Sequence, residues 1–322
     1  MLWQLSLRHS NRVLVVLSFL AIYVIWGSTY LAIRYAIETI PPLFAAGFRH
    51  LIAGSVLLGW GLWQGKRPTV AQWRASLVIG FLFFLIGHGT LHWAESTVPS
   101  GIAALLIATE PIFVALLIAV TATRRIPDRN IIFGLILGLL GVAVLIKPDP
   151  AHPHGSLLGT LAVLLGSLSW SAGIVYSRRS RLAGDPLMMS TLSLLSGAAM
   201  LIATGLITGE AHDFHLAGVS TRSFLGLLYL IVFGSIVAFS AYNWLLERFP
   251  PTLISTHTYV NPIVALLLGW GFASERLDLS LMLATALVIS AIFLVHRSHG
   301  GPDLVGEGVN GIRNVAQPRD ST

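Results

Sequence analysis

Glu110 stands apart in an apolar run, with Glu95 and Arg124 its nearest formally charged neighbours in sequence. A carboxylate inside hydrocarbon costs several kcal/mol unless it is protonated, paired or facing a wet cavity. Its expected chemistry is proton acceptance or the anchoring of a substrate ammonium group, against the plainer alternative of a structural pair between helices. His88, His92 and Glu95 follow at i, i+4 and i+7, which sets them on one helix face. Imidazoles one turn apart can converge on a metal. The chain has no cysteine, however, and no H-E-x-x-H pattern surrounds these residues, so neither metal nor cofactor is expected. A polar cavity wall fits them better, with His88 able to titrate near neutral pH. Interhelical hydrogen bonding is the alternative.

Asn261-Pro262 repeats the pattern of Glu110-Pro111 with an amide in place of the acid. A proline within a helix removes an amide hydrogen and frees a carbonyl, which membrane helices tolerate where water or a neighbour satisfies it. Pro111 and Pro262 are therefore hinge candidates, with a packing kink as the alternative. Arg49 lies deep enough to partner a carboxylate, either Glu38, Glu95 or one on the substrate, whereas Arg34 is placed to snorkel toward an interface. Trp26, Tyr30, Trp170, Tyr242, Asn243 and Tyr259 complete the candidate cavity lining begun by Arg49, His88, His92, Glu95, Glu110 and Asn261. Aromatic rings can hold apolar groups or an ammonium, although rings near span ends also belong to the interfacial belt.

The elements that position these residues are membrane helices. The 322 residues are 55% hydrophobic and only 11% charged, where soluble domains carry roughly 25% charge. Apolar runs of bilayer-spanning length recur, near 13–36, 43–63, 75–95, 99–122, 131–147, 157–177, 187–208, 224–246, 251–273 and 279–296. The expected architecture is an all-α integral membrane protein with ten transmembrane helices. Breaks such as Pro41-Pro42, Pro148-Asp149-Pro150 and Pro250-Pro251 separate the runs. The first run lacks a small-residue cleavage site and reads as an uncleaved span.

The formal charge of +6 is explained by topology. With the N-terminus in the cytoplasm, 15 of the 20 Lys and Arg residues fall on that side, among them Arg8, Lys66, Arg124, Arg178 and Arg248. Nucleic-acid binding loses its support. Gly134 and Gly138 form a G-x-x-x-G pair suited to close helix packing.

Two sequence offsets relate the halves. At 144 residues, Trp26 falls on Trp170, Arg34 on Arg178 and Pro42 on Pro186; at 151, Trp93 falls on Trp244, Pro99 on Pro250, Pro111 on Pro262 and Arg125 on Arg276. Five spans per repeat is an odd number, so the second copy enters the membrane from the opposite side. Inverted repeats are a common construction of secondary transporters, with the site between halves.

Four segments carry a resemblance: WGSTYLAIRYAIETIPPLFAAGFRHLIAG from Trp26, AESTVPSGIAALLIATEPIF from Ala94, GSLSWSAGIVYSRR from Gly166, and FGSIVAFSAYNWLLERFPPTLISTHTYVNPIVALLLGW from Phe233. In this order the chain resembles the EamA-type members of the drug/metabolite transporter superfamily. The resemblance implies two five-helix repeats, here 13–147 and 157–297, joined by a loop at 148–156. A cytoplasmic N-terminus (1–12) and a disordered cytoplasmic tail (298–322) flank them. It also implies a bacterial inner-membrane location, a central cavity, and export of amino acids, amines or related toxic compounds. Two positions depart from the family pattern: Ser274 stands where many relatives have Gly before an acidic residue, here Glu275, and His88 where a smaller polar residue is more usual.

The function expected is secondary export by alternating access, with a small-molecule substrate, the lipid bilayer as partner, and protons coupled through Glu110 or His88. Exchange of sugar phosphates or nucleotide sugars is the second transporter reading, disfavoured because few basic residues fall within spans. A membrane-embedded enzyme lacks any catalytic motif here, and a structural role is the other rival.

Overall fold

The computed structural model describes residues 9–123, 129–146, 156–179, 185–246, 248–249, 251–254 and 256–298. All regular structure among them is helical. The main helices in chain order are α1 (Arg12–Ala36), α2 (Pro42–Trp63), α3 (Val70–Ala94), α4 (Ser100–Thr121), α5 (Arg129–Leu145), α6 (Leu157–Ser177), α7 (Leu187–Ile207), α8 (Thr221–Tyr242), α9 (His257–Ala273) and α10 (Leu279–Val295). Among the described residues, seven of these, α1 to α4 and α6 to α8, are long and apolar enough to cross a membrane, and α5 and α10 are shorter apolar helices. The connecting loop at 148–155 and the tail from 299 lie outside the described residues.

Helix starts follow from local capping. α3 begins at Val70 and not near 75, because Thr69 and Gln72 form a capping box: Gln72 N donates to Thr69 Oγ1 at 3.2 Å and Thr69 N to Gln72 Oε1 at 2.8 Å. α8 likewise starts at Thr221, three residues before its apolar run, with the Ser220 hydroxyl accepting from Ser223 N at 3.1 Å. α2 opens on Pro42, and its first amides are capped from another part of the chain. The Glu210 carboxylate accepts from Leu43 N at 3.1 Å and Phe44 N at 3.0 Å.

The helices pair in matching ways. α1 runs alongside α9 in the same direction, from the Tyr23–Thr256 hydroxyl pair to the bond from Tyr35 to the Phe272 carbonyl. It runs against α8, through Trp26 to Gly234 and Ser28 to Tyr229. α6 keeps the same relations with α4 and α3: Ser167 and Ser171 reach the Ile107 and Glu110 carbonyls in parallel, and Ser169 reaches back to Leu82. α2 lies antiparallel to α7, and α5 antiparallel to α10. The α5–α10 contact is close at Gly134, where an added Cβ would lie 3.0 Å from the Ala291 carbonyl oxygen, as the G-x-x-x-G spacing anticipates.

Several helices contain wide turns. The two longest, Gly80–His88 in α3 and Leu230–Val237 in α8, overlap at the 151-residue offset. Such turns free backbone groups and gather at functional sites. At the start of the first, a Cβ on Gly80 would meet the Gly197 amide nitrogen at 2.8 Å, so α3 and α7 touch backbone to backbone. Outward faces are apolar, with Val13, Leu17, Trp63 and Leu279 exposed, as helices in contact with lipid require.

Candidate functional site

Packing changes along α4. Every residue from Ser100 to Leu106 is buried, whereas Ile107, Glu110, Pro111, Phe113 and Val114 are only half-buried. The change coincides with a break: the helix stops at Ile107 and restarts at Glu110, with Pro111 in its new first turn. Proline there lacks only an amide hydrogen that would have been unsatisfied anyway. Pro262 sits differently, inside the uninterrupted helix of α9. The two prolines expected to be equivalent hinges thus occupy unlike backbones.

Two aromatic groups are built around Trp170 of α6 and Trp26 of α1. Trp170 of α6 stacks on Phe83, with ring centroids 4.3 Å apart at 18°, and on His88 at 5.1 Å and 20°. His88 Nδ1 lies 2.8 Å from His50 Nε2, so one imidazole donates to the other. His92 Nδ1 donates to the His88 carbonyl at 2.8 Å. His88 is half-buried, while His50 and His92 are fully enclosed. Trp26 of α1 forms the second group: its indole donates to the Gly234 carbonyl at 3.1 Å, and its ring contacts Tyr242 at 5.1 Å and His257 at 5.1 Å. Asn261, with its amide nitrogen turned toward the carbonyls of Ile22, Tyr23 and His257 at 3.0–3.1 Å, satisfies oxygens that the wide turn Ala21–Ile25 exposes. Its place in the structure is against the α1 backbone.

The end of the bundle where α3 leads into α4 is tightly sealed. α9 ends at Ser274, whose φ of 55° is left-handed, and the Glu275 amide bonds back to the Gly269 carbonyl at 3.0 Å in the Schellman pattern. That turn sends the Glu275 carboxylate onto the start of α4, where it accepts from Ser100 N at 2.7 Å, Ser100 Oγ at 2.8 Å and Gly101 N at 3.0 Å. A carboxylate at a helix N-terminus satisfies orphan amides and meets the positive end of the dipole. Left-handed backbone here also explains why glycine suits position 274.

The arginines depart from expectation. Arg34 does not simply snorkel: its Nε lies 3.9 Å from Glu275 Oε1 and its Nη1 3.4 Å from the Glu95 carbonyl. Buried Arg49 donates from Nε to Ser235 Oγ at 2.8 Å, not to a carboxylate. Glu38 pairs instead with Arg222 at 3.3 Å. Tyr30 and Glu95 are buried near these groups, and Tyr259 packs against the main core cluster. The side chain of Asn243 lies outside the described residues. Among the described residues no three His, Asp or Glu side chains are grouped to hold a metal.

Sequence reasoning missed His50, Phe83, Ser235 and His257. Of these His50 and His257 carried a signal, as imidazoles within spans. Phe83 and Ser235 are ordinary membrane-helix residues until the helices are brought together.

Comparison with known proteins places the chain. The profile of the EamA-like transporter family matches residues 13–147 and again 157–297. An "Uncharacterized inner membrane transporter YedA" of Escherichia coli strain K12 is 37% identical over 278 residues, covering 85% of this chain and 88% of that protein. A "Probable amino-acid metabolite efflux pump" of the same strain is 24% identical, covering 85% and 92%. One solved protein crystal structure shares the fold at a TM-score of 0.60 and 21% identity, covering 88% of this chain and 97% of its own. With two matches spanning most of its length and relatives that are inner-membrane transporters, the chain belongs to the EamA-like transporter family of the drug/metabolite transporter superfamily.

Proposed function

We propose that the chain is an inner-membrane secondary exporter of small metabolites, built from ten spans in two inverted five-helix halves with both termini in the cytoplasm. The reading rests chiefly on the burial change along α4, which is buried throughout Ser100–Leu106 and from Ile107 onward half-buried at Ile107, Glu110, Pro111, Phe113 and Val114 while Ala108, Thr109, Ile112 and Ala115 stay buried. A solute path closed at one end and loosened at the middle is what alternating access needs. The matched pairings of α1 with α9 and α6 with α4 support the inverted halves, and the basic loops support the orientation. The sealed end then faces outward.

Glu110, at the restart of α4, anchors a substrate ammonium, and Trp26, Trp170 and Tyr242 supply faces for its apolar part. Amino acids and amines are the substrate class this lining suits, and the name of the 24% identical efflux pump prints amino-acid metabolites. His88 lies on the proton side of the mechanism. Enzymatic chemistry has no support from these groups, and sugar phosphates would want more cationic side chains than the half-buried region offers.

The test is flux in liposomes holding the purified protein, with labelled amino acids, amines and sugar phosphates, each with and without an inside-acid gradient. Saturable movement of an amine or zwitterion is expected, with Glu110→Gln lowering it at least tenfold. Exchange of sugar phosphates alone would replace the proposed substrate class, and movement of none would sink the reading.

A further inference from the structure

Glu95 has no role in the site described so far, yet it is the least comfortable residue in the molecule. It ends α3 with 1% exposure, and neither of its carboxyl oxygens has a hydrogen-bond partner among the described residues. The charged side chains acting on it are Arg34 from α1, Arg49 from α2 and Glu275 from beyond α9, with the Tyr30 phenol also near. Arg49 has committed its Nε to Ser235, and Arg34 lies between Glu275 and the backbone carbonyl of Glu95. An ionised carboxylate so enclosed and without a donor is far too costly to keep. Glu95 therefore carries its proton while this end of the bundle is sealed.

We propose that Glu95 is the proton-binding site of the transporter and that its proton controls the outer closure through Arg34. The inference rests on the transport reading above and names its coupling ion. With Glu95 neutral, the Arg34 guanidinium is left to Glu275, whose carboxylate holds the start of α4 against the end of α9. When the Glu95 O–H bond breaks, the new carboxylate competes for that guanidinium, which already touches the residue's own carbonyl. Glu275 loses its countercharge and the clasp on Ser100 and Gly101 loosens. Reprotonation from the outer solution restores the seal.

The proton also has a way out. Because His92 donates from Nδ1 to the His88 carbonyl, its Nε2 presents a lone pair, and that atom is buried and unpartnered. It belongs to the turn immediately before Glu95. His88, one turn further back, is half-buried beneath Trp170. Glu95 and His92 make no hydrogen bond to each other in the sealed state, so when the Glu95 O–H bond breaks the proton passes to water admitted along this face from the inner end. One proton inward thus accompanies each opening outward, the stoichiometry of an antiporter.

The absence of cysteine from the chain makes the closure directly measurable. Leu266 of α9 is 9% exposed and packs on Gly101 across the sealed end. Leu266→Cys would be labelled with a membrane-impermeant maleimide from the outer side across pH, each rate divided by that of the unfolded protein at the same pH. Labelling should rise at least tenfold with pH along a single-proton curve. Glu95→Gln should stay slow at every pH, and Arg34→Gln should be fast at every pH; each variant is scored only as a monodisperse, folded preparation. A pH-independent parent, or Glu95→Gln with the parental curve, would overturn the proposal. If the labelling behaves as expected while no solute in the flux panel moves, the transport reading fails and the proton site stands.

Discussion

Trp26 and Trp170 stand at equivalent places in the two halves, yet their surroundings differ in kind. Trp170 lies flat on Phe83 and His88. At the 151-residue offset Phe83 corresponds to Gly234, and Trp26, finding no ring there, donates its indole hydrogen to that glycine's carbonyl. His88, His92 and Glu95 correspond to Phe239, Asn243 and Leu246. The titratable file is therefore built into one half only. A shared scaffold supplies two aromatic walls, and divergence has put a file of imidazoles and a carboxyl behind one of them and an indole–backbone bond with the lone His257 imidazole behind the other.

The sharpest way to break this comparison is to remove each indole. Trp170→Ala takes the ring from between Phe83 and His88 and should cost about 3 kcal/mol, the low end for a large aromatic because the ring is half-buried. Trp26→Phe keeps the ring but leaves the Gly234 carbonyl without its donor, for about 1–2 kcal/mol. Both are read as denaturation midpoints in detergent. Equal losses would mean that the two walls are held in the same way. Ser274→Gly should act in the opposite direction, raising stability by about 1 kcal/mol by relieving the left-handed serine, provided Glu275 still caps α4. A lowered midpoint would show that Ser274 contributes something beyond backbone shape.

The smallest effect concerns the opposite end of the bundle, where Lys66 pairs with Asp185. Partial burial acts to raise the Asp185 carboxyl, but Lys66 Nζ at 2.6 Å and the Met188 amide at 3.1 Å outweigh it and hold the group below its ordinary range. A depressed acid stabilises the fold above its unfolded value and loses that contribution as pH falls through the folded value. Stability should thus decline slightly below about pH 4, by a few tenths of a kcal/mol because the pair is solvent-accessible. Asp185→Asn should remove that part of the acid dependence, as followed by thermal unfolding at pH 3 and pH 6. An unchanged slope would assign it to other carboxylates.

The helical class and the position of nearly every helix were legible in sequence, and so was the presence of Glu95 and Glu110 within or at the end of apolar runs. Apolar runs of bilayer length permit little else, and a buried charge is conspicuous in them. Starts set by side-chain caps, as at Thr69 and Ser220, were displaced by a few residues, because capping residues are polar and fall outside an apolar run. Asn261 read as cavity lining from its repeat position, whereas the wide turn in α1 exposes the carbonyls that it satisfies. Hydropathy carries no trace of such a turn.

What the sequence by itself determined is which segments form apolar helices and which charged residues stand out within them. Only the tertiary structure decided partners: Arg34 with Glu275 when snorkelling was expected, Arg49 with Ser235 when a carboxylate was expected, and His50 with His88 across two helices. The reason is physical. Transfer from water to hydrocarbon is a property of one segment and is written in its composition, whereas a hydrogen bond between helices depends on rotation and register, which are set jointly by all the faces that pack together.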